Sequence, residues 1–139
     1  MADRFLLDTS AIFTLTDQEE GAEKVEALLD RASAGDCEIV ICSASLTELY
    51  YITLQEQGED EAAQLISLVK SWPVTWDYPD ETVLLLAGRI KAYHRLSFAD
   101  ALIAATAQYR KATLVHKDPE LDALAGEVDL LSLPRKKPR

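Results

Sequence analysis

The sequence predicts an α/β fold, a three-layer α/β/α sandwich in which helices cover both faces of a central parallel sheet. Three observations point there. Short aliphatic or β-branched runs alternate with helical ones along the whole chain. One of those runs, Glu38 to Cys42, is apolar without the polar alternation of a half-exposed strand, and the helix Phe98 to Arg110 carries apolar residues on nearly every side. Strands separated by helices form βα units, and the right-handed crossovers between them leave a parallel sheet buried on both faces.

Phe5-Leu6-Leu7 is a strand that ends at Asp8, and a helical segment runs from Ser10 to about Thr16. From Gly21 to Ala32, Val25, Leu28, Leu29 and Ala32 fall at helical spacing, and Ala34-Gly35-Asp36 is the turn that stops the helix. The buried strand Glu38 to Cys42 leads to a helix from Ser45 to Gln57, stopped by Gly58. A further helix runs from Asp60 to Trp72, with Pro73 beyond its end, and Val74-Thr75-Trp76 is a short strand. Trp72 and Trp76 bracket that proline and read as core or dimer surface rather than base-stacking platforms. Asp80 caps a helix to about His94, and the apolar helix Phe98 to Arg110 needs burial against the sheet. Thr113 to His116 is a strand, Pro119 to Ala125 a short helix, and Val128 to Leu133 a last strand. Residues 1–133 read as one domain, and Pro134 to Arg139 as a basic, disordered tail.

With 139 residues, 48% of them hydrophobic, the chain buries a core without disulfides or structural zinc. The two cysteines, Cys37 and Cys42, read as buried free thiols of a reducing cytoplasm. No apolar stretch approaches a membrane span, and the first residues do not form a signal peptide. A formal net charge of −10 argues against non-specific binding of nucleic acid, which relies on Lys and Arg. The same excess is compatible with a cation site or a basic partner.

Four acids carry the chemistry. Asp8 follows the first strand; Glu48 lies in the first turn of the helix after the second; Asp100 lies in the first turn of the apolar helix; Asp118 follows the strand Thr113 to His116. Each also fits a local structural role. Ser45-x-x-Glu48 and Ser97-x-x-Asp100 match the capping box, Asp118-Pro119 matches an N-cap followed by proline, and Asp8 can cap the segment after it. Their joint placement points beyond capping. Ligands of open α/β sheets sit outside the carboxyl ends of the strands, where three of the four acids come. Carboxylates gathered in one crevice repel each other and take up protons unless a cation neutralises them. Mg²⁺, a hard ion that prefers oxygen donors, meets that need.

The segments Leu7-Asp8-Thr9-Ser10, Thr47-Glu48, Leu96-Ser97-Phe98-Ala99-Asp100-Ala101-Leu102 and Asp118-Pro119-Glu120-Leu121 together resemble a PIN domain. More closely, the chain is similar to the VapC-type toxins of prokaryotic toxin–antitoxin pairs, from Phe5 to about Leu133. The resemblance implies a PIN-like sandwich and an endoribonuclease that hydrolyses RNA phosphodiester bonds with Mg²⁺ or Mn²⁺. It further implies a cytoplasmic homodimer and a cognate antitoxin whose C-terminal segment occupies or distorts the site. Carried over residue by residue, Asp8, Glu48, Asp100 and Asp118 are the catalytic and metal-site acids, with Thr9, Ser10 and Ser97 as supporting polar groups. The chain departs from the family pattern upstream of Asp118, where His116-Lys117 stand in place of a Thr or Ser. Glu120 and Asp122 therefore stand as alternative donors.

On this reading Asp8 and Asp100 ligate the main ion, and Glu48 and Asp118 act through water or hold a second one. Such an ion would supply activation of water, whose in-line attack would leave a 5′-phosphate and a 3′-hydroxyl. Arg89, Arg95 and Lys117 are candidates to meet RNA phosphates, with a solvated helix face as the other reading. An aspartyl phosphotransferase would want a second Asp at position 10, which is Ser10, and a receiver domain would want adjacent acids after the first strand. A non-catalytic PIN-like binding module is the remaining alternative.

Overall fold

A computed structural model describes residues 3–135 of the chain. Five strands form one sheet in the order β3-β2-β1-β4-β5, with all four pairings parallel. They are β1 (Asp3–Leu7), β2 (Cys37–Cys42), β3 (Thr75–Asp77), β4 (Thr113–His116) and β5 (Leu130–Ser132). The helices are α1 (Thr9–Thr16), α2 (Ala22–Ser33), α3 (Ser43–Gln57), α4 (Glu59–Lys70), α5 (Glu81–Tyr93) and α6 (Phe98–Arg110), with a 3₁₀ turn over Pro119–Leu124.

Adjacent strand residues point to opposite faces, and the core divides accordingly. Leu6, Val40 and Leu114 pack on one side with Val83, Ile90 and Ile103 from α5 and α6. Leu7, Ile39, Ile41 and Val115 pack on the other with residues of α1 to α4 such as Ile12, Val25, Leu49 and Val69. Both faces are covered, as the unbroken apolar strand required. Trp72 and Trp76 pack half-buried on the α1–α4 side, and both cysteines are free and buried. Among the described residues no helix is long and apolar enough to cross a membrane.

The strand order determines where a ligand can sit. The chain steps outward from β1 to β2 and β3, then returns to lay β4 on the other side of β1. The connections after β1 and β4 therefore diverge to opposite sides, leaving a crevice at the carboxyl ends of these two strands.

Three local expectations are corrected. The helix expected from Ser45 begins at Ser43, directly after β2, and its N-cap, Cys42, makes no side-chain cap. Ser45 is thus inside the helix and does not cap it. The segment after Asp118 is a 3₁₀ turn rather than an α-helix. The last strand is shorter than expected because the Val128 N–H turns back to the Leu124 carbonyl (3.1 Å). Of the tail expected from Pro134, residues 136–139 lie outside the described residues, while Pro134 and Arg135 are in contact with the domain. A Cβ on Gly21, whose φ is +98°, would come within 3.0 Å of the Pro134 ring. The Arg135 guanidinium donates to the Lys117 carbonyl (3.0 Å) and reaches Asp122 (3.2 Å).

Helix α6 carries Asp100, and its seat against the sheet rests on Ile103, which is fully buried. Ile103→Ala should cost about 2–5 kcal/mol of unfolding free energy, the range for removing a large aliphatic side chain from a packed core. Urea denaturation followed by circular dichroism checks it.

Candidate functional site

The four sequence-identified acids reach the crevice from four different elements. Asp8 stands at the end of β1 and is 3% exposed, while Glu48, Asp100 and Asp118 are half-buried. Carboxylate oxygens of Asp100, Asp118 and Glu120 all lie within 4.8 Å of one another. Asp8 lies outside that tight set but close enough to feel the charges of Asp100 and Asp118, and Asp100 in turn feels Glu48. Glu120, expected only as a substitute for Asp118, stands beside it instead. The signal is in the sequence: Asp-Pro followed by Glu opens a tight turn that brings its first acids to one end.

Capping and clustering coexist here, because each anchored carboxylate uses one oxygen for structure. Asp8 Oδ1 accepts from the Ala11 N–H (2.8 Å), capping α1, and from the Ser10 hydroxyl (2.7 Å). Asp118 Oδ1 accepts from the Glu120 N–H (2.9 Å). Glu48 Oε1 accepts from the Thr9 hydroxyl (2.7 Å). The second oxygen of each accepts no hydrogen bond among the described residues. Asp100 enters its cap through the backbone: its N–H donates to Ser97 Oγ (3.1 Å).

Thr9 and Ser10 couple the elements that carry the acids. The Thr9 hydroxyl spans from Glu48 to Ser45 Oγ (2.9 Å), so the buried Ser45 bonds to α1 across the crevice. Ser10 Oγ donates to Asp8 and accepts from the Lys117 N–H (2.9 Å), joining the ends of β1 and β4. Lys117 turns its amine away from the acids, donating to the Glu20 carbonyl (2.6 Å) and lying 3.6 Å from Glu19. Arg89 and Arg95 are exposed, and neither forms an ion pair among the described residues.

The electrostatics follow from this geometry. Burial, reinforced by Asp100 and Asp118, pushes the Asp8 carboxyl up from 3.8 to about 7 against the lowering effect of its Ser10 and Ala11 bonds. Burial, then Asp118 and Glu48, pushes Asp100 up to about 6. The crevice is thus short of positive charge, and its donors are all oxygens, which fits a hard divalent cation. The linkage has a definite sign. Both groups hold protons more tightly in the folded chain than in the unfolded one, so metal-free stability falls as pH rises from about 4 to 7. Thermal melts in chelator should therefore give a lower Tm at pH 7.5 than at pH 5, with a smaller gap in Asp8→Asn. Added Mg²⁺ should raise Tm more at pH 7.5 than at pH 5.

Comparison with known proteins agrees with this architecture. The chain matches the PIN domain family model over residues 5–127. It is similar in structure to VapBC2 from Rickettsia felis bound to a DNA fragment from its promoter, with a TM-score of 0.76, 18% identity, and coverage of 94% of this chain and 99% of that one. DNA-bound VapBC from Salmonella typhimurium gives a TM-score of 0.74 at 20% identity, covering 95% of this chain and 98% of that one. VapC20 of Mycobacterium tuberculosis, a toxin that cleaves the sarcin–ricin loop, gives 0.68 at 16% identity, covering 87% and 95%. Among curated proteins no sequence matches. With a parallel sheet in the order 3-2-1-4-5, acids at its switch point and a family match over most of its length, this chain belongs to the PIN domain family.

Proposed function

We propose that the chain is a metal-dependent endoribonuclease, the toxin of a toxin–antitoxin pair, hydrolysing RNA phosphodiester bonds with Mg²⁺ or Mn²⁺. The observation that carries this reading is the gathering of Asp100, Asp118 and Glu120 within 4.8 Å beside a buried Asp8 whose carboxyl is pushed up to about 7. A cap needs one oxygen; the convergence of several uncommitted ones is what a cation site requires.

Asp8, Asp100, Asp118 and Glu48 hold the ion or ions, with Glu120 as an added donor. The chemistry supplied by bound Mg²⁺ or Mn²⁺ is activation of water and neutralisation of charge at the phosphate. Ser10 and the Ala11 N–H keep Asp8 Oδ1 engaged, so that Oδ2 is the oxygen offered to a cation. Thr9 holds Glu48 in the same way. Ser97 fixes the start of α6 and with it Asp100. The exposed Arg89 and Arg95 are available to RNA phosphates without breaking an existing pair. Lys117 is bonded elsewhere, so a phosphate contact from it requires release from Glu20.

An antitoxin protein is the proposed partner, supported by the VapBC complexes whose fold the chain shares. The setting is cytoplasmic, in keeping with the free Cys37 and Cys42. A homodimer is supported by the apolar surface of α5 and α6, where Leu84 is 48% and Phe98 70% exposed and both line the same small apolar pocket. Burying such a surface is the ordinary reason for its exposure in one protomer. Sedimentation should show a dimer for the wild type and a larger monomer fraction for Leu84→Glu.

Cleavage of labelled RNA with Mg²⁺ or Mn²⁺ tests the activity. Asp8→Asn and Asp100→Asn should each lower kcat/KM by roughly 10³-fold, and chelator should abolish cleavage. Thr9→Val should weaken activity or metal affinity by about 10–100-fold, as removal of a group that orients a ligand does. Cleavage that survives both Asp substitutions refutes the assignment. Absence of both cleavage and Mg²⁺-dependent stabilisation leaves the chain a PIN-like binding module.

A further inference from the structure

The turn after β4 carries a third acid, Asp122, which the sequence offers as an alternative metal donor. Both of its oxygens are engaged elsewhere. Oδ2 accepts from the Arg135 guanidinium (3.2 Å), and Oδ1 stands 3.6 Å from the His116 Nε2. That imidazole is fully buried, and neither ring nitrogen has a hydrogen-bond partner among the described residues. At 3.6 Å the contact is too long for a hydrogen bond, but the Asp122 charge acts on the ring. Asp122 thus faces His116 with one oxygen and Arg135 with the other, while Asp118 and Glu120 of the same turn converge on Asp100.

The same arginine holds the chain just ahead of Asp118. Its Nε donates to the Lys117 carbonyl (3.0 Å). The Lys117 N–H donates to Ser10 Oγ (2.9 Å), and the His116 carbonyl accepts from the Leu133 N–H (2.7 Å). Residues 116 and 117 are therefore held from both flanks, by Ser10 after β1 and by Leu133 and Arg135 after β5. Beyond Asp118, the fully buried Leu121 and Leu124 anchor the apolar side of the turn. Its polar side has less support. The Asp118 bond to the Glu120 N–H stays within the turn. Among the described residues, Arg135 to Asp122 is the side-chain hydrogen bond that ties this side to the rest of the fold. An exposed ion pair adds little to stability, but a planar guanidinium fixes the groups that it joins.

We propose that Asp122 is a positioning residue and not a metal donor. The Arg135 guanidinium, bridging Asp122 and the Lys117 carbonyl, sets the turn so that Asp118 and Glu120 face Asp100. The role rests on the metal-site reading of the crevice. Charge alone predicts the opposite effect of Arg135, because removing a cation beside a cation site strengthens metal binding. Positioning predicts that its removal weakens binding.

The probe is Mn²⁺ alone, titrated into the full chain without RNA and read from the electron paramagnetic resonance of the free ion. Arg135→Gln and Arg135→Lys should each weaken Mn²⁺ binding about tenfold, the low end for groups that orient a metal ligand. The lysine variant keeps the charge and loses the planar fork, so its loss reports geometry. Asp122→Asn should weaken binding by a similar factor, and combined with Arg135→Lys by no more than either change alone. The Arg135 and Asp122 side chains are 36% and 51% exposed, so the variants leave the core intact. Unchanged or tighter binding in either Arg135 variant overturns the positioning role, and a loss confined to Asp122→Asn makes Asp122 a donor. Additive losses in the double variant also overturn it. A wild type that binds no Mn²⁺ refutes the metal-site reading itself, and this role with it.

Discussion

Ionised carboxylates kept from water and from each other's counterions are unfavourable, and this fold concentrates them where β1 and β4 part. Asp8 is almost wholly buried there, with Asp100 and Asp118 near enough to add their charges. An isolated buried acid would simply stay protonated. Asp8 and Asp100 are both pushed toward the protonated form, an effect that a divalent cation in the crevice would reverse. The surrounding hydrogen bonds serve that arrangement. Thr9 reaches from α1 to Glu48 on α3, and Ser10 from Asp8 to the chain after β4. Two consecutive side chains thereby connect elements that the sheet alone would leave free to shift.

Much of this is legible in the sequence, and the exceptions have physical causes. The unbroken apolar strand ending at Cys42 and the all-round apolar helix Phe98–Arg110 require a two-sided sheet, and both stand where expected. The acids are visible because each follows a strand or opens a helix. Ser45 reads as a cap because local spacing makes that the nearer solution, whereas its partner is Thr9, 36 positions away. Glu120 reads as a mere substitute because an α-helix after Asp118 differs from the 3₁₀ turn that sets both acids side by side. The direction of the Lys117 amine depends on Glu20, in the loop after α1, which only the packing of α1 against β4 brings near.

The net charge of −10 also gains a spatial meaning. Part of it surrounds the crevice, while Arg89 and Arg95 stand exposed without ion-pair partners among the described residues. One molecule thus presents surfaces of opposite preference. Salt acts on both, since exposed charges are screened within about 10 Å at 0.1 M ionic strength.

Arg135 clasps the carbonyl of Lys117, just before Asp118, and the carboxylate of Asp122, within the turn that follows it. Arg135 is thereby held at the outer rim of the acid crevice rather than at a remote corner. A substitution at Arg135 would therefore act on that turn, whereas one at the start of β1 would stand at the opposite end of the strands, away from the acids.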